Sequence, residues 1–186
     1  MREFELILSY LERSNTITIA VLVLLSIYFI LVNWIFFYRY FVLLFHNRRE
    51  AFSLETIQMG SKKPAMNSYV QKCGIEKFTK ESAEFCAYKA TKESTKGLTF
   101  LSMAASTSPF IGLFGTVVSI LETFYVMGST KASISTISAS IGEALVATAA
   151  GIFVAIFAYS YHLILKRKAF EFVTAVRMEL DLLIGK

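Results

Sequence analysis

Hydrophobic positions in this chain fall in long unbroken runs rather than in an alternating pattern. Three stretches contain no Asp, Glu, Lys or Arg: Ser14 to Tyr38, Leu98 to Leu121 and Ala144 to Leu165, of 25, 24 and 22 residues. About 20 apolar residues suffice to carry a helix across a bilayer. In lipid a helix is the one single segment that satisfies all its own backbone polar groups. The pattern therefore predicts an all-α integral membrane protein with three transmembrane helices and long cytoplasmic helical extensions. The expected order is an amphipathic helix on the outer surface over 1–14, a first span over 15–40 that runs on into the cytoplasm, and a cytoplasmic helical domain over 41–97. A second span over 98–127, an outer turn over 128–136, a third span over 137–165 and a cytoplasmic helical tail over 166–186 follow.

Between the spans the apolar period changes. Phe4, Ile7, Leu8 and Leu11 recur at helical spacing among Glu3, Glu5 and Glu12, as in a helix lying on a membrane surface. Trp34, Tyr38 and Tyr40 form an aromatic cluster near the inner end of the first span. That span carries little else that is polar beyond Ser26 and Asn33. The pattern continues through Phe41, Leu44 and Phe45, and Gly60-Ser-Lys-Lys-Pro64 is a breaker. A second cytoplasmic helix is expected from Asn67 to Lys96, its charge run a solvated face. In the tail, Phe170, Val173, Val176, Leu180 and Leu183 sit three or four apart and predict an amphipathic helix.

Charge sets the expected orientation. Residues 1–14 hold two bases and three acids, residues 39–97 eleven bases and six acids, and the tail from Lys166 five bases and three acids. Lys and Arg gather on the cytoplasmic side. The N-terminus and the Gly128–Thr136 turn are thus expected outside, and the middle domain and C-terminus inside. This asymmetry accounts for the net charge of +5 without nucleic acid as a partner. The first apolar run is too long for a cleavable signal, and none is expected. Cys73 and Cys86 lie 13 apart with no metal-binding pattern, and are expected to be free cytoplasmic thiols. No catalytic, cofactor or metal constellation is present. His46 and His162 are read as interfacial polar residues.

Polar chemistry enters the last two spans in register. Ser108, Gly112, Thr116, Ser119 and Thr123 are spaced four, four, three and four, which keeps them on one helical face. Pro109 removes a backbone donor beside that face. In the third span Ala144, Thr148, Gly151, Ala155 and Ala158 share a face, while Glu143 shares one with Ala147 and Ala150. Small faces of this kind serve close helix packing. An intramembrane carboxylate such as Glu143 points to function, with an interfacial position as the alternative. Glu122 reads as a boundary residue.

Two segments carry a family resemblance. Ser108-Pro-Phe-Ile-Gly-Leu-Phe-Gly-Thr-Val117 resembles the (A/S)-P-(F/Y)-(I/V)-G-L-F-G-T-V motif of the TolQ/ExbB/MotA family of proton-driven motor subunits. Ile141-Gly-Glu-Ala-Leu-Val-Ala-Thr-Ala-Ala-Gly151 resembles that family's I-(A/G)-E-A-L-(L/V/I)-A-T-A-x-G. The resemblance implies a homopentamer in the bacterial inner membrane around a dimer of a TolR/ExbD-type single-span protein whose Asp carries protons. It implies a TolA- or TonB-type protein downstream. It places the pore-lining or proton-path positions on Thr116, Thr148 and Glu143. Ser108, Pro109, Gly112, Gly115, Ser119, Ala144 and Gly151 become its packing or pore face. Departures stand at Ser138-Ala-Ser140, where the family often has A-P-G, at Phe157, where a proline is frequent, and at Val118, where a tryptophan is usual. The short stretch ahead of the first span favours a TolQ-like role in the Tol-Pal system; an ExbB-like subunit and a non-conducting scaffold are the alternatives. A MotA-type stator, with four spans, fits poorly.

Overall fold

The computed structural model describes residues 16–61, 63–75, 79–129 and 134–185. The expected surface helix over 1–14 and residues 130–133 of the expected outer turn lie outside them. Five helices follow in order: α1 (Thr16–Gln58), α2 (Tyr69–Lys72), α3 (Lys80–Ser94), α4 (Leu98–Ser129) and α5 (Ile134–Ile184). Among the described residues there is no strand. α1, α4 and α5 each contain a stretch long and apolar enough to cross a membrane. The 43 residues of α1 rise about 65 Å, twice the ~30 Å of a hydrocarbon core. Only part of that helix is therefore needed to span.

The chain divides into two compact units. The first comprises residues up to Asn33 together with Leu101–Tyr159; the second comprises Trp34–Phe100 and Ser160–Lys186.

In the first unit the N-terminal part of α1 packs on α5 through Val21, Leu25, Ala147 and Val154, with Ile111 of α4 against them. Outward-facing residues are large and apolar: Ile30, Phe110, Phe114 and Leu121 are each more than 60% exposed. A surface this apolar suits lipid or neighbouring helices, not water. Between α4 and α5 the backbones touch. A Cβ on Gly112 would stand 2.6 Å from the Ala147 carbonyl oxygen, and one on Gly151 would stand 2.5 Å from the Ser108 carbonyl oxygen. Lipid tails offer no hydrophobic drive for helices to associate, so close backbone approach through small residues supplies the attraction. Gly115 does the same for α1: a Cβ there would come within 3.0 Å of the Val21 side chain.

The second unit has a core of its own. Its core gathers Ile57 of α1, Tyr69 and Val70 of α2, Ala83, Cys86 and Ala90 of α3, and Phe172, Val176, Leu180 and Leu183 of α5. Ser68 caps α2 by accepting from the Gln71 amide, and Thr79 and Ser82 form a reciprocal capping box at the start of α3. The Arg39 guanidinium closes the far end of α3, donating to the carbonyls of Glu93 at 2.5 Å and Ser94 at 3.0 Å. Gly97, at φ +86°, then turns the chain into α4. Phe36 stacks on Tyr161 with centroids 3.9 Å apart. Trp34 is left 73% exposed.

Three expectations are corrected here. The single helix expected over Asn67–Lys96 is two, because Gly74 adopts φ +67° and ends α2 after one turn. Cys73 and Cys86 are not free thiols: the fold of α2 onto α3 joins them in a disulfide, with Cα atoms 5.9 Å apart. On the tail, Val176, Leu180 and Leu183 are buried and Val173 packs against them, but Phe170 faces out at 71% exposure, and Phe172 and Glu179 join the buried face in its place.

Replacing Gly151 or Gly112 by Ala is expected to cost about 1–3 kcal/mol, the usual range for overpacking, because backbone must move. Gly142→Ala, where a Cβ meets nothing within 4 Å, is expected to leave stability unchanged or slightly raised. Thermal unfolding of the detergent-solubilised variants checks both.

Candidate functional site

The hydroxyl stripe of α4 turns toward α5. Ser108 is fully buried, Ser119 is 3% exposed and Thr116 is 7% exposed. Gly112 and Gly115 are buried with them, and Pro109 at the edge is partly buried. Pro109 does not interrupt α4, which is continuous from Leu98 to Ser129. Ser108 donates to the Ala104 carbonyl in the preceding turn. The opposing face of α5 is equally small: Ala144 and Ala147 have no exposed surface and Gly151 is buried.

At the centre of this contact Thr116 Oγ1 is hydrogen-bonded to Thr148 Oγ1. Thr116 Oγ1 also lies 3.0 Å from the Ala144 carbonyl of α5 and 3.2 Å from the Gly112 carbonyl of its own helix. A threonine hydroxyl has one proton to give and two lone pairs to receive. Carbonyls only accept, so Thr116 donates to a carbonyl and accepts from Thr148. The proton order is therefore Thr148 to Thr116 to carbonyl. The two hydroxyls differ in access: Thr116 is enclosed, while Thr148 is partly exposed at the edge of the contact. Within one chain Thr148 is the member that an approaching polar group can reach.

The residues singled out in the sequence separate accordingly. Thr116, Thr148, Ala144, Gly112, Gly151 and Ser108 form one contact. Glu143 is partly exposed and immediately precedes Ala144, whose carbonyl binds Thr116. Glu122 is partly exposed further along α4. His46 Nδ1 lies 2.8 Å from the Val42 carbonyl and His162 Nδ1 3.1 Å from the Leu98 carbonyl, both in the second unit. Among the described residues no three His, Cys, Asp or Glu side chains gather to hold a metal ion.

Sequence reasoning missed two buried acids, Glu50 and Glu179, with 1% and 0% exposure in the second unit. A signal was present. Leu43, Glu50 and Ile57 are spaced by sevens on α1, and Glu179 falls in the three-and-four spacing of Val176 and Leu183 on α5. An acid in an apolar register position is the mark of a buried carboxyl.

Thr116→Val is expected to lower stability by about 1 kcal/mol, since Thr148 loses its acceptor; Thr116→Ser should cost less, keeping the hydroxyl. Chemical or thermal unfolding in detergent separates the two.

Comparison with known proteins follows the same segments. A family model described as the MotA/TolQ/ExbB proton channel family matches residues 55–178. An ExbB-like biopolymer transport protein of Helicobacter pylori (strain J99) is 41% identical over 98% of this chain and 99% of its own length. The biopolymer transport protein ExbB of Neisseria gonorrhoeae is 54% identical over 61 residues, covering 32% of this chain and 28% of its own. The Tol-Pal system protein TolQ of Pseudomonas aeruginosa is 47% identical over 60 residues, covering 32% of this chain and 26% of its own.

Proposed function

Because the chain belongs to the MotA/TolQ/ExbB proton channel family, we propose that it is the ring-forming subunit of a motor driven by the proton-motive force in the bacterial inner membrane. In this reading a ring of copies, a pentamer as the resemblance implies, surrounds a dimer of an ExbD/TolR-type single-span protein. The partner's Asp takes protons from one side and releases them on the other. The observation that carries the reading is the Thr116–Thr148 hydroxyl pair, set at a backbone contact between two membrane-capable helices with one hydroxyl accessible.

The physics of the pair suits this work. A carboxylate in lipid is costly unless a donor meets it. The accessible Thr148 hydroxyl can turn its proton from Thr116 to a partner's Asp, because Thr116 keeps its carbonyl bond. A neutral hydroxyl lowers the energy of that Asp without trapping it as a cation would. One charge moved through 100 mV yields about 2.3 kcal/mol, comparable to a hydroxyl–carboxylate hydrogen bond of about 1.5–3 kcal/mol. The contact can therefore be broken and remade in each cycle. Glu143, one residue before the Ala144 carbonyl, is assigned to the same path. The work is binding and coupling rather than turnover of a substrate, so no enzyme activity is assigned.

Orientation follows the charge: the N-terminus and the α4–α5 connection outside, and the second unit with the C-terminus in the cytoplasm. Between branches, similarity along the whole length to an ExbB-like transport protein supports energising of outer-membrane uptake through a TonB-type protein. The TolQ-like role, with TolR and TolA, is the second reading. It is favoured by the 60-residue match to TolQ.

Thr148→Ala is expected to reduce proton uptake by the co-expressed complex by about tenfold or more, the scale of one lost hydrogen bond, while the ring still co-purifies with its partner. Thr148→Ser should restore flow. Glu143→Ala is expected to abolish activity with assembly intact. Full proton flow in Thr148→Ala would end the ion-path assignment; loss of assembly instead would favour a packing role alone.

A further inference from the structure

Glu50 and Glu179 bring two carboxyls together in the sealed core of the second unit, one from α1 and one from α5. Glu179 Oε1 accepts from the Ser53 hydroxyl at 2.7 Å, and Ser53 Oγ in turn accepts from the Ala65 amide at 2.9 Å. Glu50 Oε1 accepts from the Tyr69 amide at 2.5 Å. The second oxygen of each carboxyl is buried with no hydrogen-bond partner. The serine proton is already committed, and Ser53, bonded to Glu179, lies one turn from Glu50 on the same face of α1.

The groups facing the pair do not neutralise it. Lys72 on α2 acts on Glu50 from an exposed position, and neither acid takes part in an ion pair among the described residues. Tyr69 on α2 and Glu93 on α3 add no positive charge. Ser53 and Ser68 are neutral donors. Two buried negative charges without a counter-charge repel each other, and each has lost its hydration. A single proton between them removes the repulsion and fills an empty acceptor.

We propose that the Glu50–Glu179 pair is a proton-binding switch. Sharing one proton, it ties α2 and the connector carrying Ala65 to α1 and α5; losing that proton, it loosens this packing. The switch lies in the other unit from the threonine pair and does not depend on proton flow through it.

Burial, opposed by the Tyr69 amide and reinforced by Glu179, pushes the Glu50 carboxyl up to about 8. Burial also raises Glu179. The folded pair therefore holds its proton more tightly than the unfolded chain, where a glutamate titrates near 4.5. Its contribution to stability is full below the unfolded value and falls as pH rises through the folded one. That is opposite in sign to an ordinary paired carboxylate. On the orientation proposed above, the switch reads the cytoplasm and loosens when it turns alkaline.

The test is thermal unfolding of the full-length protein in detergent between about pH 5.5 and about pH 8.5. The wild type should lose at least about 5 °C over that range, and Glu50→Gln and Glu179→Gln should each flatten the loss. The Ala65 and Tyr69 amides should lose protection from hydrogen exchange at the alkaline end, beyond the intrinsic rate increase. A wild-type midpoint that stays level or rises, or Gln variants that keep the wild-type slope, would overturn the proposal. Should neither Gln variant fold, infrared spectra decide, recorded in a Glu122→Gln, Glu143→Gln background to remove the two carboxyls of the first unit's part of α4 and α5. A protonated-carboxyl band at neutral pH that vanishes on alkalinisation supports the switch; its absence at neutral pH overturns it.

Discussion

Everything in the first unit depends on how closely α4 can approach α5. At Gly112 and Gly151 the distance is that of backbone against backbone, with no room for one further carbon. In lipid, apolar surface gains nothing by leaving its surroundings, so the attraction comes from dispersion and from polar groups that find each other. The glycines provide the first and thereby permit the second. Only at this separation can Thr116 reach both Thr148 and the Ala144 carbonyl. Val21 and Leu25 of α1 then close over the contact beside Gly115 and Ala147.

The second unit is held together differently. Its helices end in caps, its core is aliphatic and aromatic, and the interior positions of Glu50, Ser53 and Glu179 are polar. The surface pairs that Glu171 makes with Arg167 and Lys168 are exposed and contribute little. Specificity lies instead in buried hydrogen bonds that gather the connector: Ala65 to Ser53, Ser53 to Glu179, and Tyr69 to Glu50. The Cys73–Cys86 disulfide links α2 to α3 within the same core.

How legible each part was follows from the range of the forces involved. Charge-free runs of more than 20 residues leave a chain few options, so the three long helices could be read directly. The hydroxyl stripe was equally plain, since residues four and three apart share a face whatever the helix meets. Which hydroxyl stays accessible was not readable, because it depends on the crossing of two helices. Nor was the break between α2 and α3, which turns on Gly74 taking a left-handed conformation. On the tail the buried face holds Val176, Leu180 and Leu183, but Phe170 is apolar and outward while Glu179 is acidic and inward. Hydrophobicity alone could not tell an outward-facing phenylalanine from a core one, or a buried glutamate from a solvated one.

The aromatic cluster at the end of the charge-free part of α1 has a practical side. Trp34 is the sole tryptophan of the chain and stands largely uncovered. Indole emission shifts in colour with the polarity around the ring, so the protein carries a single indole reporter at one fixed position on α1. Its spectrum distinguishes a tryptophan bathed in acyl chains from one wetted at the headgroups or covered by a neighbouring subunit. Subunit association and bilayer thickness thereby become optically visible without a label.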